Sequence, residues 1–164
     1  MLKPPRIRQA VADDAAHLIF LIASLAEFEN LPVPDKDAQQ RLIRDGFGHT
    51  PMFEAWLAEI DGESKPVGYA FVYMAYSTFL AAPTLFLEDI FVLPEHRKKG
   101  IGKALLRHCI QVANERGCGR MEWNCLDWNI DAQGMYEDMG AKRMSDWLLY
   151  RMDGETLGRS KGKI

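Results

Sequence analysis

The chain predicts a mixed α/β layer fold, on three observations. Its hydrophobic periodicity switches between two and 3.6 in the order β-α-α-β-β-β-α-β-α-β. The stretch Thr84-Leu85-Phe86-Leu87-Glu88-Asp89-Ile90-Phe91-Val92 is apolar on both faces, as a strand covered on two sides is, and leads through a glycine-punctuated loop into a helix. At 164 residues the chain is long enough to bury a sizeable core and of a length for one domain, residues 1–164.

In order, residues 7–11 read as a short strand, with Asp13 or Asp14 capping the helix that follows. That helix, from 15 to about 28, turns Leu18, Leu21, Ile22 and Leu25 to one side. Leu31-Pro32-Val33-Pro34 breaks it. Asp35 or Asp37 then caps a second helix through residue 44, before an Asp45-Gly46-Phe47-Gly48 turn. Residues 53–60 and 67–76 form a hairpin, and 77–83 a loop into the central strand. The stripe Ile101, Ala104, Leu105, His108, Cys109, Val112 and Ala113 marks a helix that Gly117 is placed to end in left-handed conformation. A strand over 120–125, a helix over 132–139 ending at Gly140, and a final strand over 147–152 complete the order. The polar tail, about 154–164, is expected to fray.

The 48% apolar and 26% charged composition is that of an ordinary soluble globule. Net charge −3 weighs against nucleic acid and suits a cationic small-molecule partner. The apolar run 18–26 follows acidic residues rather than a basic n-region and falls far short of the ~20 residues that span a bilayer. A cytoplasmic protein with no membrane partner is expected. Cys109, Cys118 and Cys125 are odd in number and make no CxxC pair, and Cys109 and Cys125 read as reduced core thiols. The four histidines lack metal-ligand spacing, and His96 reads as a solvated loop residue. No Gly-x-Ser-x-Gly elbow occurs. Neither metal nor serine-nucleophile chemistry is expected.

Arg97-Lys98-Lys99-Gly100-Ile101-Gly102-Lys103 places cations and glycines at a helix N-terminus, where unpaired amides and the helix dipole favour a phosphate. Arg97 and Ala104 stand where a P-loop needs glycine and Ser or Thr, and Leu105 where a dinucleotide fingerprint needs its third glycine. What remains, Arg97-x-x-Gly100-x-Gly102, resembles the pyrophosphate loop of the GNAT acetyltransferases. The stretch Asn129-Ile-Asp-Ala132-Gln-Gly-Met-Tyr136-Glu-Asp-Met-Gly140-Ala141 is similar to that family's Asn-x-x-Ala-x-x-x-Tyr-x-x-x-Gly-hydrophobe element. The resemblance covers almost the whole chain. It implies the GNAT fold, a central mixed twisted sheet flanked by helices, with acetyl-CoA as co-substrate. Residues 97–103, Asn129 and Ala132 would hold coenzyme A, Asn129 orienting its pantetheine arm.

Within the family the chain most resembles the diamine (spermidine/spermine N1-) acetyltransferases. Leu25-Ala-Glu-Phe28-Glu29, Asp45-Gly-Phe-Gly48, Leu87-Glu88-Asp89-Ile-Phe-Val92 and Trp128-Asn129 carry this. Phe28 and Phe79 stand where those enzymes have tyrosine and tryptophan, and the loop after Gly140 is shorter. The resemblance implies a homodimer, with the C-terminal strand as an exchange or edge-pairing element. Two alternatives are acetylation of thialysine or another amino-acid side chain, and a non-catalytic acyl-CoA-binding module.

Strand alternation would point Glu88 and Asp89 to opposite faces. A structural ion pair for each would account for them. The catalytic reading has Glu88 facing the amine and taking its proton, since an aliphatic ammonium titrates near ~10 and attacks only when neutral. Backbone amides of Ile90, Phe91 and Val92 would stabilise the developing oxyanion if the strand splays from its neighbour there. Tyr136, a phenol near pKa ~10 against a thiol near ~8.5, would protonate the leaving thiolate. Phe28 and Glu29 would line the far end of a polyamine slot, with Phe79 as further lining and Asp89 adding charge if local twist allows.

Overall fold

In the computed structural model, which describes residues 3–159, one sheet of five strands runs in the order β1-β2-β3-β4-β5. The strands are β1 (Arg6–Gln9), β2 (Glu54–Glu59), β3 (Gly68–Ser77), β4 (Ala82–Val92) and β5 (Arg120–Trp123). The first four pair antiparallel and β5 joins β4 in parallel, so the sheet is mixed as expected. The helices are α1 (Ala15–Phe28), α2 (Lys36–Phe47), α3 (Ile101–Glu115), α4 (Ile130–Asp138) and α5 (Gly154–Arg159). Contacts divide the chain into two compact units: Met1–Asn124, which holds the whole sheet, and Cys125–Ile164, which holds α4 and α5.

Alternation along the strands builds two apolar faces. On one, Ala55, Leu57, Tyr69 and Phe91 pack with Leu18 and Leu21 of α1. On the other, α3 buries Ile101, Leu105, Leu106, Cys109, Val112 and Ala113, and its His108 ring lies 4.2 Å from that of Trp56. Burial pushes the Cys109 thiol up to about 12, so it is an inert core residue. Gly117 (φ 65°) ends α3 as expected, its amide reaching the Asn114 carbonyl while that of Cys118 reaches Ala113.

Several expectations change. The Asp45-Gly46-Phe47 segment is the last turn of α2, not a free turn, and Gly46 is there because the Phe53 ring packs where a β-carbon would lie. Asp35 caps α2, accepting from the Ala38 amide at 2.8 Å. Asp14 does not cap α1 with its side chain: Arg8 engages that carboxylate at 2.6 and 2.8 Å, and the Val11 amide donates to it. Residues 147–152 form no strand; Trp147, Leu148, Leu149, Tyr150 and Met152 are all exposed, with no sheet edge paired to them among the described residues. The expected frayed tail begins instead as helix α5, and its part beyond residue 159 lies outside the described residues. Cys125 is exposed beyond the end of β5 rather than core. His96 is buried, in a one-turn 3-10 helix (Pro94–His96), with Nε2 3.7 Å from Glu63.

Candidate active site

The loop from β4 to α3 has the shape its glycines predict. Lys98 (φ 58°) and Gly100 (φ 80°) are both left-handed, and a β-carbon on Gly100 would meet nothing within 4 Å. Gly100 starts α3 without a side-chain cap, and the first turn carries no acid. The first helical bond, from the Ala104 amide to the Gly100 carbonyl at 3.0 Å, leaves the amides of Ile101 and Gly102 without intrahelical acceptors. Open space, free amides and the dipole suit a pyrophosphate, so these residues fit coenzyme A.

Beside this loop the pairing of β4 with β5 comes to an end. The parallel ladder pairs only Thr84, Leu85, Phe86 and Leu87 with Arg120 to Trp123, so β4 from Glu88 to Val92 has no β5 partner. The oxyanion reading of Ile90, Phe91 and Val92 needs amides without such a partner there.

On its other side β4 carries a bulge. Phe71 pairs with Asp89 but Val72 with Leu87, leaving Glu88 as an extra residue. Glu88 and Asp89 therefore do not alternate as expected. Asp89 shares the face of its partner Phe71, and Glu88, two residues on from Phe86, joins it there. That face also holds Tyr69, fully buried, whose hydroxyl donates to Asp89 Oδ2 at 3.1 Å. Burial pushes the Asp89 carboxyl up to about 6; the Tyr69 bond pulls it down, and the charges of Glu88 and Glu29 push it up. Glu29 is itself raised by burial. Burial and Asp89 together hold the Tyr69 phenol well above its ordinary value. Glu88 is exposed, and its charge also raises Tyr73 after the effect of burial.

Arg97 turns to this face. Its guanidinium lies over the Phe28 ring at 4.2 Å and the Phe91 ring at 5.3 Å, and Nε donates to the Val92 carbonyl at 2.9 Å. A residue expected at the phosphate thus touches the aromatic residue expected at the amine. Lys99 donates to the Glu95 carbonyl. Phe79 does not join the cluster: it sits 97% exposed at the β3–β4 turn, eight residues beyond Phe71, roughly 25 Å along an extended strand. In the second unit Asn129 caps α4, its side chain accepting from the Ala132 amide at 3.3 Å, and Tyr136 is buried. Sequence reasoning missed Tyr69. The signal was there: a tyrosine in a strand buried on both faces needs a partner for its hydroxyl.

Residues 19–141 match the family model described as Acetyltransferase (GNAT) family, a match that runs through the boundary of the two units. The chain belongs to this family. It is an N-acetyltransferase, and the GNAT family takes its acetyl group from acetyl-CoA. The chain is 36% identical to mouse thialysine N-epsilon-acetyltransferase over 96% of this chain and 98% of the relative. It is 32% identical to human spermidine/spermine N(1)-acetyltransferase-like protein 1 over 93% of this chain and 23% of that longer relative. Among solved structures, AAC(6')-Iy in complex with a bisubstrate analog, CoA-S-monomethyl-acetylneamine, superposes with a TM-score of 0.73, covering 92% of this chain and 99% of that one at 23% identity. At that identity the likeness shows the GNAT fold.

Proposed function

We propose that this GNAT chain, both units acting as one domain, transfers acetyl to a primary amine of a small molecule bearing two or more positive charges, a diamine or polyamine. One observation carries the reading: Glu29 and Glu88 both act electrostatically on Asp89, and among the described residues no cation pairs with Asp89. A half-buried anion cluster without its cation is costly, and a polycationic substrate supplies what it lacks. The far ammonium lies by Glu29 and Phe28, and the reacting one by Glu88 and Asp89.

Acetyl-CoA supplies the acetyl group as a thioester. Gly100, Gly102 and the amides that open α3, flanked by Arg97, Lys98, Lys99 and Lys103, hold its pyrophosphate, and Asn129 and Ala132 its pantetheine arm. The amine attacks directly, with no acyl-enzyme. Amides of Ile90, Phe91 and Val92 stabilise the oxyanion on the open edge of β4, and Tyr136 gives its proton to the departing sulfur.

A second reading, amino-acid side chains such as thialysine, has two supports. Its substrates also carry two amines but add a carboxylate, and Arg97 sets a cation against Phe28. The mouse relative also bears that name. Equal concentrations of spermidine, a diamine and thialysine, competed for acetyl-CoA and read by mass spectrometry, separate the two. Spermidine or the diamine acetylated first is the expected result; thialysine first overturns the polyamine assignment and leaves acetyl transfer standing.

The finer assignments follow from surface and cysteines. Trp147, Leu148, Leu149, Tyr150 and Met152, between 65% and 86% exposed, form an apolar run that a second copy of the chain would cover, giving a homodimer. Light scattering of the wild type against Leu149→Asp tests this: a dimer that the aspartate dissociates is expected, and a wild-type monomer refutes it. Three cysteines outside any disulfide suit the reducing cytoplasm. No described helix is long and apolar enough to cross a membrane.

A further inference from the structure

On the face shared by β3 and β4 a half-buried carboxylate meets a buried phenol, and the acetyl transfer proposed above gives neither a task in the chemistry. Tyr69 lies on β3 and is fully buried; its hydroxyl spends its one proton on Asp89 Oδ2 at 3.1 Å. Oδ1 of Asp89 keeps its lone pairs, with no protein donor among the described residues. The titratable groups that act on Asp89 are Tyr69 across the ladder, Glu88 beside it, and Glu29 at the end of α1. Two of these are anions and the third donates a neutral hydrogen bond. Arg97 faces Phe28 and Phe91 from the loop.

A carboxylate in this position differs from Glu88 in its surroundings. Glu88 is exposed, whereas Asp89 is half-buried and takes a hydrogen bond from Tyr69. A proton acceptor works best when its pKa lies near the operating pH. Asp89, two residues before Phe91, shares the α1 face with it, and the bulge leaves Glu88 beside it.

We infer that Asp89, held by Tyr69, is the base that deprotonates the substrate ammonium, and that Glu88 is the exit by which this proton reaches water. The inference rests on the proposed reading of the site as an amine acetyltransferase. The ammonium gives one N–H proton to Asp89 Oδ1. The freed lone pair forms the C–N bond to the thioester carbonyl carbon as the C–S bond breaks. Sulfur leaves as a thiol with the proton from Tyr136, and the second N–H proton, acidic once the C–N bond exists, restores that phenol. Asp89 passes its proton to the adjacent Glu88 and so to solvent, and each turnover releases one proton. Tyr69 does not touch the substrate. It is a positioning residue that fixes which oxygen of Asp89 is free and tunes when it is charged. Burial sets the Asp89 carboxyl at about 6, so near neutral pH it is ionised before each turnover and gives up the proton after it.

The test is the pH profile of kcat/KM for the best amine, measured by free-thiol release on wild type, Tyr69→Phe, Glu88→Gln and Asp89→Asn, each checked for fold by circular dichroism. The wild type should lose activity on an acid limb near pH 6. Tyr69→Phe removes the bond that lowers the Asp89 pKa, so its limb should move up by about one unit, the scale of a lost hydrogen bond to a charged group. Glu88→Gln removes a charge that raises it, so its limb should stay or move slightly down while kcat falls. Asp89→Asn should lose ~10²-fold or more together with the limb. Should Asp89→Asn fail to fold, the near-isosteric Tyr69→Phe still decides by the position of its limb. A limb that vanishes in Glu88→Gln and survives in Asp89→Asn, or that does not move in Tyr69→Phe, overturns the inference. A wild type that acetylates no amine ends the underlying reading, and is seen before any variant is compared.

Discussion

Gly100 and Gly117 offer a matched experiment on the phosphate loop. They bracket α3 with φ of 80° and 65°, and a β-carbon on either would meet nothing within 4 Å. Alanine at either position is forced into the left-handed region, at about 1–2 kcal/mol. Part of that, about 0.4–1 kcal/mol, is offset because alanine also stiffens the unfolded chain. Gly100→Ala and Gly117→Ala should therefore destabilise alike, by about 1 kcal/mol, or ~2–4 °C in Tm for a chain of this length. They differ in what the open space is for. At Gly117 it is solvent beyond a helix end; at Gly100 it is the approach to the amides of Ile101 and Gly102. A methyl group that holds a phosphate off one such amide forfeits a charge-assisted bond of about 1.5–3 kcal/mol. Gly100→Ala should thus weaken coenzyme A binding roughly ten- to hundredfold while Gly117→Ala leaves it unchanged. Calorimetric titration with coenzyme A, beside thermal melts of both variants, reads the two effects separately. Equal affinity in both variants, at equal melting temperatures, would falsify the placing of the phosphate at this loop.

Two further outcomes follow from single side chains. Tyr136→Phe should keep coenzyme A affinity by calorimetry and lower kcat by ~10²-fold or more; a loss within about threefold makes the tyrosine core filling only. Arg8 holds the Asp14 carboxyl below its ordinary range, chiefly through their hydrogen bonds, so that stabilisation is present above the unfolded pKa of ~4 and lost as pH falls through the lower folded one. Arg8→Ala should cost about 1–3 kcal/mol in urea melts at pH 7 and progressively less below about pH 4; a gap that persists at pH 2.5 assigns the loss to packing.

Much of the fold could be read from the chain because its signals are local. The strand, the loop and α3 follow from a run of apolar residues, two glycines and a helical stripe, each readable within a few positions. The bulge is not local. Whether Glu88 alternates or is extruded depends on how β3 registers against β4, and no residue of β4 alone states it. Residues 147–152 fail for the same reason: Trp147, Leu148, Leu149 and Tyr150 have strand character, but a strand needs an edge, and none in the described chain meets them. The register itself yields one more prediction. Deleting a residue from a central strand ordinarily turns every side chain beyond it to the wrong face. Deleting Glu88 should not. With it gone, Leu87 and Asp89 become neighbours opposite Val72 and Phe71, which are neighbours already. The ladder to β5 ends at Leu87 and is untouched, and the Tyr69–Asp89 bond is kept. The deletion should therefore fold, with a far-ultraviolet spectrum like the wild type's and a cooperative melt a few degrees lower. Deleting Ile90 instead, which stands opposite Ala70, should shift the register of all that follows and unfold the sheet. If both deletions unfold alike, Glu88 is held by the strand and not extruded from it, and the shared face of Glu88 and Asp89 goes with it.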